Sequence, residues 1–153
     1  MVQDLPGYLD SDGLASYFPA RAGDGPRGSD RLTAYLLAAT HEAGLPLAPT
    51  VRDSMLEGLT AFVEGRIERK FWSPKPDLDV RKLAALEALS RHGQARGRML
   101  ASVTIAPNQW PTHAVVDWLA ILQRVADVPQ REQRLAEATQ VLRSRLSYQG
   151  TRL

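Results

Sequence analysis

The chain has 153 residues, of which 44% are hydrophobic and 24% charged, values near those of globular domains. Nineteen Lys and Arg against seventeen Asp and Glu leave a net charge of +2, too small and too interspersed to argue for a nucleic-acid partner. A chain of this size buries roughly 70% of the surface it exposes when unfolded, so one domain spanning 1–153 needs no metal for a core, and its zero cysteines exclude a disulfide framework.

Residues 1–28 form a loop-rich lead-in, dense in Gly, Asp and Pro, with no continuous apolar run of the kind that marks a signal peptide. Within it, Leu5-Pro6-Gly7-Tyr8-Leu9-Asp10 and Gly13-Leu14-Ala15-Ser16-Tyr17-Phe18-Pro19 read as packing segments from the middle of a domain, followed by a loop over 21–28. The chain is therefore expected to be a piece of a longer multidomain protein. Helix pairs are expected over 29–150.

The first helix opens where Ser29 or Asp30 can accept a hydrogen bond from an unpaired backbone N–H of the first turn. It closes at Gly44-Leu45-Pro46, where glycine takes the left-handed conformation, leucine makes the contact behind it, and proline cannot continue the ladder. The same punctuation recurs over 78–93, after Pro76-Asp77, and over 112–127, after Trp110-Pro111 and before Pro129. The closing positions Gly44, Gly93 and Asp127 lie 49 and 34 residues apart, wide enough for two helices per unit.

Between these helices lie others with one polar side. Over 49–67 the apolar stripe is Val51, Met55, Leu59, Phe62 and Val63; over 129–148 it is Leu135, Ala138, Val141, Leu142 and Leu146. By contrast, 32–39 and 114–122 are apolar around most of the helix apart from Asp117 and the polar tips of Tyr35 and Trp118, so these two are expected to be enclosed by others. Alternation of enclosed and surface helices predicts an all-α fold of antiparallel helix pairs forming part of an α/α toroid, with a helical solenoid as the competing architecture.

Little in the sequence has the form of catalytic chemistry. His41-Glu42 lacks the second histidine four residues on that a zinc-protease helix requires, since position 45 is leucine. His41, His92 and His113 have no ligand spacing, so neither metal nor cofactor is expected. No serine sits in a nucleophile elbow. Asp77-Leu78-Asp79-Val80 falls one aspartate short of the cyclase acid motif Asp-x-Asp-Asp, and Asp77 or Asp79 reads better as a helix cap. The cluster 66–70 reads as a solvated helix end. Candidate protein-contact residues are Phe71, Trp72, Trp110 and His113, because large side chains in Pro-bounded loops are enriched at interfaces, although packing of these loops onto the ends of the helix barrel is the favoured reading of the aromatics.

Asp12-Gly13-Leu14 with Tyr17-Phe18-Pro19, Gly28-Ser29-Asp30, Leu32-Thr33-Ala34-Tyr35-Leu36-Leu37 and His41-Glu42-Ala43-Gly44-Leu45-Pro46 resemble the bacterial alpha-2-macroglobulin family, the large extracellular alpha-helical proteins. The likeness continues through Phe71-Trp72-Ser73-Pro74, Asp79-Val80-Arg81-Lys82-Leu83-Ala84-Ala85-Leu86, Trp110-Pro111-Thr112, Asp117-Trp118-Leu119 and Tyr148-Gln149-Gly150. Its specificity lies in their ordered succession across almost the whole chain.

The resemblance implies a segment of the thioester-type helical domain, an α/α toroid similar to those of complement proteins and terpenoid cyclases. It implies a periplasmic or extracellular parent, often an inner-membrane lipoprotein, that inhibits proteases by trapping them after a bait region is cut. Partners would be the other domains of that parent and, through it, target proteases. Covalent capture in this family needs a Cys-x-x-Gln motif, which a chain without cysteine does not carry. No motif maps His41 or His113 onto the histidine that steers acyl transfer in thioester proteins. The expected role is thus non-catalytic, with an independent helical scaffold for protein–protein interaction as the alternative and a toroid enzyme ranked third. An excised ring segment leaves apolar faces bare, so self-association of the chain is expected.

Overall fold

In the computed structural model the described residues are 2–16, 28–67, 75–104 and 106–150, with side chains described for all but 2–4, 75–76 and 148–150. Five α-helices carry the fold: α1 (Asp30–Glu42), α2 (Pro49–Val63), α3 (Lys75–Arg91), α4 (Thr112–Arg124) and α5 (Arg131–Gly150). Short 3-10 segments occupy Val2–Tyr8, Gly97–Ser102 and Pro107–Gln109. The only pairing of extended backbone among the described residues is an antiparallel bridge between Leu9 and Ala15. The chain is all-α.

Local chemistry sets the helix ends. The Ser29 hydroxyl accepts the Leu32 N–H at 3.2 Å and starts α1. At its other end Gly44 sits at φ 68°, and the Leu45 N–H reaches back to the Thr40 carbonyl at 2.9 Å, closing the carbonyls that the helix leaves open. Gly93, at φ 69°, ends α3 the same way, with Gln94 donating to the Leu89 carbonyl at 2.9 Å. Leu45 differs from expectation, because its side chain is 53% exposed instead of packing behind the turn. Arg131 finishes α4 from the first turn of α5, donating to the carbonyls of Leu122 at 2.6 Å and Gln123 at 3.1 Å.

The expected division into enclosed and surface helices is redistributed. The most enclosed element is α3, which packs against α1, α2 and α4; Leu83, Ala85, Leu86, Ala88 and Leu89 are fully buried. In contrast α1, packed on α2 and α3, and α4, packed on α3 and α5, are apolar nearly all round yet leave Tyr35 and Val116 exposed at 68% and 49%. The cause is α3's own composition: Asp79, Arg81 and Glu87 are buried on it, and their charges hide its apolar character in the sequence. Asp79 lies inside α3, and its carboxylate accepts the Thr104 N–H at 3.2 Å, while Asp77 stands in the first turn.

The stripes on α2 and α5 stand as expected except at one end. Val51, Met55, Leu59, Phe62 and Val63 are buried, and Leu135, Ala138, Val141 and Leu142 pack on the core while α5 lies against α4, but Leu146 is 56% exposed. Arg145 fastens α5 to the 3-10 segment Pro107–Gln109 through the Asn108 carbonyl at 3.1 Å and to the start of α4 through the Thr112 hydroxyl at 3.4 Å. The lead-in is docked rather than trailing. Leu14 is fully buried, Ala15 donates its N–H to the Thr33 hydroxyl at 2.8 Å, and Ser29 donates to the Ala15 carbonyl at 2.8 Å.

Candidate functional site

Three helices, α1, α3 and α4, line an open groove of about 440 Å³. From α1 come Arg31, Ala34, Tyr35 and Ala38; from α3, Val80, Arg81, Ala84 and Glu87; from α4, His113 and Asp117. Steps of three and four place each set on one helical face. Alanines at 34, 38 and 84 keep the floor low, so the groove exists because small side chains stand where α1 and α3 meet.

Beneath the groove Asp30 and Arg81 form a bidentate ion pair, Nε to Oδ2 at 3.1 Å and Nη2 to Oδ1 at 2.6 Å, with the two residues 1% and 4% exposed. The Arg81 guanidinium also lies 5.4 Å from the centroid of the Phe62 ring, so one side chain links α1, α2 and α3. Two further ion pairs join α1 to α3: Arg31 to Asp77 at 2.7 Å, and Arg91 to Glu42 at 2.6 Å. The Arg91 guanidinium hydrogen-bonded to Glu42 holds that exposed carboxyl below the usual range.

Glu87 is the hub of the charges on α3. Its Oε1 accepts from Arg91 at 2.6 Å and Arg124 at 3.0 Å, and Arg124 also donates to the Ser90 hydroxyl at 3.1 Å. Asp117 is different. It makes no hydrogen bond or ion pair with another described residue, and burial, with the Glu87 charge adding to it, pushes its pKa up to about 6 against the pull of Arg91 and Arg124. A half-buried carboxylate on an apolar groove wall has an unmet demand for a cation or a proton.

Of the four contact residues read from the sequence, only His113 is in the groove, exposed on α4. Trp110 is a core residue: it is 3% exposed and stands edge-on to Trp118, ring centroids 5.7 Å apart. Its Nε1 has no acceptor among the described residues. Phe71 and Trp72 lie outside the described residues. Asp117 and Tyr35 were the residues to single out, since Asp117 is the one charge in the apolar run 114–122 and Tyr35 the one large polar-tipped ring in 32–39.

A second hollow of about 540 Å³ lies between the lead-in and α2, with Asp10, Asp12 and Glu57 among its lining residues. Asp10 is already committed, accepting the N–H groups of Asp12, Leu14 and Gly28 at 2.9, 3.1 and 2.8 Å, which makes that carboxylate the organiser of the lead-in loop. His41 and His92 form an edge-on pair with centroids 5.3 Å apart. Burial holds the His92 imidazole below its ordinary pKa despite a hydrogen bond to the Leu37 backbone, and its Nε2 is buried without a partner among the described residues. Among the described residues no three His, Cys, Asp or Glu side chains are grouped to hold a metal ion, and no helix is long and apolar enough to cross a membrane.

Comparison of the chain with protein-family models, with curated proteins and with solved structures gave no match.

Proposed function

We propose that the chain is a non-catalytic helical domain of a bacterial alpha-2-macroglobulin-like protease trap, a part of an α/α toroid that works by docking against the other domains of its parent. The observation that supports this reading is the bare face of α1 and α4. Tyr35 and Val116 stand 68% and 49% exposed on helices whose sequences are apolar nearly all round, and such helices ordinarily find neighbours on both sides. In a trap of this kind the neighbours are supplied by the rest of the molecule, in the periplasm or outside the cell, and the target protease is met by the assembled protein.

The test uses the intact gene product. Incubated with trypsin in slight excess over the protease, it is expected to block digestion of a large substrate such as casein while hydrolysis of a small chromogenic peptide continues, because an enclosed protease loses access to large substrates only. Equal hydrolysis of both substrates with and without the protein would overturn the reading.

A further inference from the structure

We infer that the groove between α1, α3 and α4 receives an arginine or lysine side chain from a protein partner, with the Asp117 carboxylate as its counter-ion. This goes beyond the trap reading and does not depend on it.

The first support is charge pairing around the groove. Arg31 is matched by Asp77, Arg81 by Asp30, and Arg91 and Arg124 by Glu87 with Glu42. Among the acids and arginines that line the groove, Arg31, Arg81 and Glu87 thus each have an ion-pair partner, and Asp117 has none among the described residues. An incoming cation completes the set, whereas an incoming anion would meet guanidinium groups that are already engaged.

The second support is shape. The groove walls near Asp117 are Ala34, Ala38, Val80 and Ala84, with the exposed Tyr35 on the α1 rim. A lysine or arginine carries a three- or four-carbon stem that lies on apolar surface while its charged end seeks a polar partner. Low alanine walls leading to one half-buried carboxylate match both halves of such a side chain, and the tyrosine ring face adds a surface that attracts cations. A purely apolar segment would bury Asp117 further and leave it unpaired, which is unfavourable.

The experiment follows the Asp117 carboxyl carbon by NMR while Nα-acetyl-arginine amide, or its neutral isostere Nα-acetyl-citrulline amide, is added to the chain. The arginine compound is expected to bind with a Kd on the order of millimolar, to lower the Asp117 pKa by about one unit, and to shift the methyl signals of Ala34, Ala38 and Ala84. The citrulline compound is expected to do none of these. In Asp117→Asn, which keeps the side-chain shape and removes a repelled charge, the arginine-induced methyl shifts are expected to fall at least about tenfold in apparent affinity, as loss of a charge-assisted contact entails. Equal responses to the two compounds, or unchanged arginine binding by Asp117→Asn, would overturn the inference. So would larger groove shifts with inorganic phosphate, which would make it an anion site. Groove shifts that vanish on dilution without any added compound would assign it to a second copy of this chain instead of a separate partner.

Discussion

Asp117 and the pair Asp30–Arg81 show two ways in which a helical fold holds charge. For Asp117 the folded pKa of about 6 lies above its ordinary 3.8, so the native state holds the proton more tightly than the unfolded chain does. The linkage sign follows: below both values there is no penalty, stability falls as pH rises from about 4 to about 6, and the full penalty is present above that. Discounted for the solvent that still reaches the group, the shift is worth about 2 kcal/mol. Asp117→Asn is therefore expected to raise the melting temperature by roughly 3–6 °C near neutral pH. Around pH 4 it is expected to change it little, and a pair of calorimetric scans at the two pH values checks this. Asp30 and Arg81 behave oppositely, because each satisfies the other where water is absent. Arg81→Met strands the Asp30 carboxylate and is expected to cost about 3–5 kcal/mol in urea denaturation, and adding Asp30→Asn to it is expected to recover part of that loss.

At the scale of elements, α3 holds the molecule together and the others are arranged around it. Leu86 is fully buried where α3 meets its neighbours, so Leu86→Ala is expected to cost about 2–5 kcal/mol. Tyr35→Ser on the exposed face of α1 is expected to stay within about 0.5 kcal/mol of the parent chain. Equilibrium unfolding of both variants checks the contrast. This hub was not legible in the sequence, whereas the helix ends were. Ser29, Gly44 and Gly93 act through the backbone within a few residues of themselves, so their role is local and readable. The position of α3 depends on which helices surround it, and Asp79, Arg81 and Glu87 make it look like a surface helix until Thr104, Asp30 and Arg124 are brought to them from elsewhere in the chain. Trp110, in a Pro-bounded loop, could serve contact or packing, and Trp118 in the second turn of α4 draws it into the core, as the packing reading expects. Asp117 could be noticed as a lone charge in an apolar run, but its lack of a partner becomes visible only in three dimensions.

At the scale of the whole molecule, the groove between α1, α3 and α4 joins low alanines, an exposed tyrosine and one unmatched carboxylate, and α4 also carries the exposed Val116. Under the proposed function, these exposed residues are where the chain would meet the rest of a longer protein. Hydroxyl-radical footprinting, read by mass spectrometry, compares the isolated 153-residue chain with the intact gene product at this face. The account predicts that Tyr35 and Val116 are oxidised readily in the isolated chain and are protected in the intact protein, while Leu146 on α5 serves as an exposed reference within each sample. Equal oxidation of Tyr35 and Val116 in the two samples would contradict it, because the face would then be bare in the assembled protein and something other than docking would have to explain it.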